Sequence, residues 1–229
     1  MPRSPREDYE GAWQHVMNRG IDRQAIFRSD ADRQVFYDCL AAAMPHHGVE
    51  VHGWCLLGNH YHLLLMSKRG KLSAAMQALA SRFTQRINYR DGRDGPIFRG
   101  RFASVPVESD AHLVRASRYI HRNPVEAGMV GMPWQWPWSS AAAYLGLVRP
   151  PAWLYTEAIL EMFGTQSARQ RYREFLGEET DAETRARYVV WQRSGMGSDP
   201  QGLAPSHGAA HSSQRSQLSP AVVHRERSK

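Results

Sequence analysis

The sequence predicts an α+β fold, because its apolar residues recur with strand and helix periods in the order strand, helix, strand, strand, helix, strand, helix. That order is the ferredoxin-like, split βαβ plan: a four-stranded antiparallel sheet with helices packed against it. A second observation is the turn Gly58-Asn59 between the second and third strand patterns, a hairpin signature that makes them antiparallel neighbours. A third limits the folded part. From Ser194 to Lys229 there is no Phe, Tyr or Trp, while Ser, Gly, Pro and Gln accumulate. Such a segment cannot bury enough apolar surface to offset its ordering entropy. The chain therefore divides into a flexible N-terminus (1–8), a main domain (9–146), a helical C-terminal extension (147–193) and a disordered tail (194–229).

Trp13 to Asn18 alternates apolar and polar residues and predicts the first strand, ended by Arg19-Gly20. Ser29 stands where it can cap a helix from about Asp30 to Met44, with Val35, Phe36, Cys39, Leu40 and Ala43 on one stripe. Val51 to Leu57 and His60 to Met66 are the second and third strands. Leu72, Met76, Leu79, Phe83 and Ile87 recur at helical spacing opposite Gln77, Arg82, Gln85 and Arg86, an amphipathic helix with a basic outer side. Arg101 to Val107 is the fourth strand, and Pro106 puts it at a sheet edge because it has no N–H for a central ladder. Asp110 to Arg122 is the third helix, which Asn123-Pro124 is expected to stop. Trp134 to Trp138 reads as core closure, and residues 156–163 and 168–176 as short helices.

The chain has 229 residues and a formal net charge of +7. That balance favours a polyanionic partner, nucleic acid first and an acidic membrane surface second. Two cysteines, Cys39 and Cys55, are too few for a disulfide framework or a Cys-rich zinc module, and their apolar contexts predict buried thiols in a reducing cytosol. Met1 to Glu10 has no apolar core of a secretory signal, and no apolar run approaches the roughly 18–20 residues of a membrane span. His207, His211 and His224 are read as scattered polar residues of the tail.

Two groups of residues could carry chemistry. On a strand, His60 and His62 project to the same face, a workable grip on a divalent ion. With 11 His in the chain, such a triplet arises by chance in about half of comparable sequences, so spacing alone is no motif. Tyr119 lies off the apolar stripe of the third helix, and Asn123, four residues on, shares its face. Taken alone, a tyrosine there is more ordinarily packed at the edge of a core. Together the groups make sense of each other. A phenol, with a pKa of about 10, is a poor nucleophile without a cation to draw its reaction forward. An ion on two His and the Asn123 carboxamide would leave positions for phosphate oxygens. Ester exchange through a tyrosine conserves bond energy and needs no nucleotide cofactor, and the sequence has no G-x-x-x-x-G-K-[ST] loop. Phe98, Arg99, Arg101 and Phe102 mix aromatic and guanidinium groups at a strand entry, a surface that Arg82, Arg86, Arg90 and Arg93 could extend.

Five blocks occur in order: Asn18-Arg19-Gly20, Gly58-Asn59-His60-Tyr61-His62-Leu63-Leu64-Leu65, Phe98-Arg99-Gly100-Arg101-Phe102, Arg118-Tyr119-Ile120-His121-Arg122-Asn123-Pro124-Val125-Glu126-Ala127-Gly128 and Pro137-Trp138-Ser139-Ser140. Over about residues 9–146 they resemble the single-tyrosine HUH transposases, most closely the REP-associated tyrosine transposases of bacteria. The resemblance implies Mg²⁺- or Mn²⁺-dependent cleavage and joining of single-stranded DNA, often at a palindrome folded as a hairpin, in the bacterial cytoplasm at the nucleoid. It implies that His60 and His62 bind the metal, that Asn123 is the third protein ligand, and that Tyr119 forms a 5′-phosphotyrosine and frees a 3′-OH. DNA contacts are expected from Arg19, Arg82, Arg86, Arg99, Arg101, Phe98 and Arg122.

The chain departs from the family pattern in places. Leu57-Gly58 replaces the usual Met-Pro before Asn59-His60. His121-Arg122 replaces a commoner His-Leu, a change assigned to solvent or DNA. Tyr61, between the two His, should point to the opposite sheet face and pack there. Competing readings are a palindrome- or hairpin-binding protein with a domesticated host role and dispensable catalysis, a replication-initiation or conjugative nicking enzyme, and a plain metal-binding module. Monomer and homodimer are both open.

Overall fold

The computed structural model describes residues 8–180, 182 and 184–186. The expected disordered tail (194–229), with His207, His211 and His224, lies outside the described residues. The elements run β1 (Ala12–Arg19), a 3-10 turn (Ile21–Arg23), α1 (Asp30–His46), β2 (Val49–Leu56), β3 (His60–Ser67), α2 (Leu72–Asp91), β4 (Ala103–Pro106) and α3 (Asp110–Glu126). After them come a 3-10 turn (Pro133–Gln135), α4 (Ala141–Tyr144), α5 (Glu157–Leu160), a 3-10 turn (Glu161–Phe163) and α6 (Ala168–Gly177). The strands form one antiparallel sheet in the ferredoxin-like order β2-β3-β1-β4.

Local chemistry explains the element ends. Ser29 Oγ accepts from Asp32 N, and the Asp32 carboxylate accepts from Ser29 N, a capping box that starts α1. Between β2 and β3, Leu57 N donates to His60 O across the Gly58-Asn59 turn, and the Gly58 carbonyl accepts from Ile26 N and Phe27 N. Pro106 sits in the short edge strand β4, which pairs with β1 alone.

The third helix corrects the sequence expectation. It does not stop at Asn123-Pro124 but runs to Glu126, with Pro124 inside it. Packing holds the turn helical, since Asn123 and Pro124 are both buried, and this overrides the local bias against an α conformation before proline. The stop is Gly128, at φ 68°, which side chains other than glycine seldom adopt. Tyr119 and Asn123 thus stay on one helical face.

The sheet has two differently covered faces. On one, Tyr61, Leu63 and Leu65 pack against Phe36 and Leu40 of α1 and Phe83 of α2. On the other, Leu64 and Cys55 meet Leu113, Ala116 and Ile120 of α3, with Tyr144, Tyr172 and Leu176 behind them. The chain after α3 also covers the open edge of β2, which Ser139 bridges at Cys55 and Leu154, in the extension, bridges at Val51. Trp136 Nε1 donates to Leu56 O at 3.0 Å and Trp138 Nε1 to Asp30 Oδ1 at 2.7 Å, so this tryptophan segment closes the core as expected. Cys39 and Cys55 are buried free thiols.

A directed chain of buried hydrogen bonds ties α3 to the extension. Tyr172 Oη donates to Ser117 Oγ (3.1 Å), which donates to Val114 O (2.8 Å). Tyr172 Oη therefore accepts from His121 Nδ1 (2.7 Å), and His121 Nε2 lies 2.7 Å from Ser140 Oγ, which also lies 3.3 Å from Trp54 O. Burial lowers the His121 pKa to about 3, so the ring is neutral and both its nitrogens are used.

Candidate functional site

β3 opens with His60 and His62, and β1 lies antiparallel beside it. The register pairs Arg19 with His60, Met17 with His62 and His15 with Leu64. Directly opposed residues share a face, so His15, Met17 and Arg19 line the same side as the two imidazoles. Tyr61 points to the other side, fully buried against Phe36 and Phe98, as its alternation required.

Each imidazole has its Nδ1 engaged. His60 Nδ1 lies 2.7 Å from Asn59 Oδ1, and Asn59 Nδ2 donates to Arg23 O at 3.1 Å. The amide oxygen thus faces the ring, which makes His60 Nδ1 the donor and leaves a lone pair on Nε2. His62 Nδ1 lies 3.0 Å from His15 Nε2. The Nε2 atoms of His60 and His62 are both buried without a hydrogen-bond partner. Burial, with Arg19 second, pushes His60 down to about 4. Burial also holds His62 well below the ordinary histidine range, helped by His15 and His60. Neutral rings with unshared Nε2 lone pairs are the form in which histidine binds a metal ion.

Tyr119 reaches this pair from α3. Its ring centroid is 5.6 Å from that of His62 and 5.8 Å from that of His15, edge-on to both. It packs on Met17 and Val105 and is only 4% exposed. Asn123, one turn on and also buried, donates from Nδ2 to Tyr119 O at 2.8 Å, so Oδ1 is the end of that amide left to act as a ligand. No group of three or more His, Cys, Asp or Glu able to hold an ion occurs among the described residues. Two imidazoles and one carboxamide lie outside that pattern and suit a divalent ion that keeps open positions. The two orphaned Nε2 atoms are the observation by which the residues fit such an ion.

Positive charge gathers at the mouth. Arg99 N donates to Arg19 O at 3.0 Å, Asn18 Nδ2 donates to Gly100 O at 3.2 Å, and Phe98 bridges Gly20. These contacts lay residues 98–101 along the end of β1, next to His60. Gly20 is required here, because a Cβ would stand 2.1 Å from Gln24 O. The Arg19 guanidinium pKa is lowered by burial, then by the charges of Arg99 and Arg23. Like charges held together by the fold are relieved by an anion such as a phosphate.

Residues 9–123 match the family described as Transposase IS200 like, 115 of the 229 residues. The chain belongs to the IS200-like transposase family. A protein of Haemophilus influenzae named as a REP-associated tyrosine transposase is 28% identical over 130 residues, 52% of this chain and 73% of the relative. A solved REP-associated tyrosine transposase, bound to a REP hairpin, superposes with a TM-score of 0.55 at 18% identity, covering 69% of this chain and 93% of that one. That likeness speaks for the fold.

The transposase fold brings His60, His62 and Tyr119 together, keeps Asn123 one turn from Tyr119, and sets Arg19 beside His60 with Arg99 and Arg101 exposed at the rim. Other expectations are corrected. Phe98 is buried against Tyr61 and Phe83 and offers no ring to a base. Arg122 is buried, donating to Leu176 O at 2.8 Å, so it ties α3 to α6 and does not face DNA. Its neighbour His121 is fully buried in the hydrogen-bond chain above. Arg82 and Arg86 are exposed on α2, which packs on the sheet face away from the His pair. Sequence reasoning did not single out His15 and Asn59, which contact the rings of His62 and His60. Asn59 was legible as the neighbour of His60. His15 needed the β1–β3 register, which local pattern does not encode.

Proposed function

We propose that this transposase is a divalent-metal-dependent single-stranded DNA endonuclease and strand transferase that cuts at or near palindromic hairpins through Tyr119. The observation that carries this reading is the Tyr119 ring against His62, whose Nε2, like that of His60, is buried and unpartnered. The Nε2 atoms of His60 and His62 and the Asn123 carboxamide oxygen would hold Mg²⁺ or Mn²⁺, which when bound polarises the scissile phosphate and offsets transition-state charge.

The chain's own residues do the rest. Tyr119 Oη attacks phosphorus as its proton leaves to solvent. The P–O3′ bond breaks, the 5′ phosphate stays on Tyr119 as an ester, and the 3′ oxygen leaves as a hydroxyl after taking up a proton. Attack by a second 3′-OH on that ester reverses the step and joins strands without a nucleotide cofactor. Arg19 and Arg99, with Arg101 at the rim, bind phosphate oxygens and orient the strand. Arg82 and Arg86 would serve duplex flanking the cut. The solved neighbour is bound to a REP hairpin, and a hairpin-forming single strand is the partner we extend to this chain, acting at the bacterial nucleoid.

Tyr119 is 4% exposed, so DNA must part α3 from Met17 and Val105 before a phosphate reaches Oη. The same burial favours a second reading: a hairpin-binding protein with a domesticated host role in which cleavage is dispensable. Denaturing gels with a labelled hairpin substrate and Mn²⁺ separate the two. The wild type should give a DNA-linked protein band. Tyr119→Phe should lose it, with cleavage down by at least about 10³-fold and hairpin binding retained. Wild-type protein that binds the hairpin but forms no adduct would select the second reading.

A further inference from the structure

We infer that His15 is a positioning residue: it accepts a hydrogen bond from His62 Nδ1–H and thereby keeps His62 in the tautomer whose Nε2 is bare toward the ion. The inference rests on reading His60 and His62 as metal ligands and adds what selects the form in which they bind. His15 belongs to none of the sequence blocks that carry the family resemblance.

The geometry is specific. His15 Nε2 and His62 Nδ1 are 3.0 Å apart, and both residues are fully buried. A neutral imidazole carries one N–H and one lone pair, so of two nitrogens in contact one must donate and the other accept. If His62 Nδ1 accepted, the proton of His62 would sit on Nε2 and block ligation there. If it donates, His15 Nε2 takes the bond and His62 Nε2 keeps its lone pair.

The neighbouring ring shows the same arrangement from an unrelated side chain. Asn59 Oδ1 can only accept, which holds His60 in the Nδ1–H form. Two rings, each with Nδ1 within hydrogen-bond distance of a neighbour and an unpartnered Nε2, are therefore served by two partners from different parts of the chain, the β2–β3 loop and β1. Partners that orient a ligating histidine and set its tautomer typically change metal affinity by about 10–100-fold when removed.

Long-range proton–nitrogen NMR of the metal-free wild type reads the tautomer directly. The expected result is a protonated Nδ1 and a bare Nε2 on His62, and the reverse assignment overturns the inference. Calorimetric titration with Mn²⁺ then compares His15→Gln, whose carbonyl can accept the same proton, with His15→Leu, which cannot. The leucine variant should bind Mn²⁺ about 10–100-fold more weakly while the glutamine variant stays within about threefold of wild type. Wild-type affinity in the leucine variant sinks the idea. Should the leucine variant not melt cooperatively, the wild-type spectrum decides alone. His62→Ala separates this inference from the functional reading. If that variant binds Mn²⁺ like wild type, the ligand assignment has failed. If it loses binding while His15→Leu does not, only the role of His15 has.

Discussion

The two faces of the sheet share strands but not chemistry. β3 supplies both, one residue at a time: Tyr61, Leu63 and Leu65 to the face under α1 and α2, and His60, His62 and Leu64 to the face under α3. The first face is apolar and aromatic, with the Phe36 ring 4.7 Å from Tyr61 and 5.3 Å from Phe83. The second buries His15, His62, Ser117, His121, Asn123 and Ser140. Buried polar groups persist when they are hydrogen-bonded, and the chain through His121, Tyr172 and Ser117 meets that condition. The unpartnered Nε2 atoms of His60 and His62 break it. The lesson is that the α1/α2 face is built mainly of apolar and aromatic packing, while the α3 face also buries a hydrogen-bonded polar framework beside the two histidines.

Substitutions on each face test that division. Phe83→Ala, fully buried among Phe27, Phe36 and Phe98, should cost about 3–5 kcal/mol in denaturant unfolding. A loss below about 1 kcal/mol would mean that the aromatic face does not carry the stability assigned to it. Tyr172→Phe leaves His121 Nδ1–H and the Ser117 hydroxyl without the oxygen between them and should cost about 1–3 kcal/mol. Hydrogen exchange should then quicken in α3 and α6 but not in α1 or α2, and uniform quickening would argue against a separate framework on the α3 face.

The smallest effects concern surface charge. Arg99→Ala should weaken binding of a single-stranded oligonucleotide several-fold and lower the magnitude of its salt slope by about 1. Arg82→Ala, on the opposite face, should change it by less than about twofold. Equal losses would show that bound DNA reaches around to α2 and that the two faces act together.

Much of the fold was legible because period and turn chemistry are local. The alternation of Trp13 to Asn18, the Ser29 cap and the stripe from Leu72 to Ile87 each state their element without reference to the rest of the chain. The end of the third helix was not, because Pro124 signals a stop that burial against the sheet overrides. Arg122 and Phe98 were misassigned for a related reason. An arginine and an aromatic suit DNA as well as they suit a buried carbonyl or a core, and only their surroundings decide which.

The sequence by itself determined the strand and helix order and the shared faces of His60 with His62 and of Tyr119 with Asn123, which follow from spacing along the chain, and its five ordered blocks carried the resemblance to the family. The tertiary structure alone decided that His15 of β1 meets His62, that Arg19 and Arg99 converge while Arg82 and Arg86 lie behind the sheet, and that Tyr119 lies buried beside its own chain's histidines. These depend on strand register and on which face each helix covers. Both are set by the joint burial of apolar surface between segments far apart in the chain.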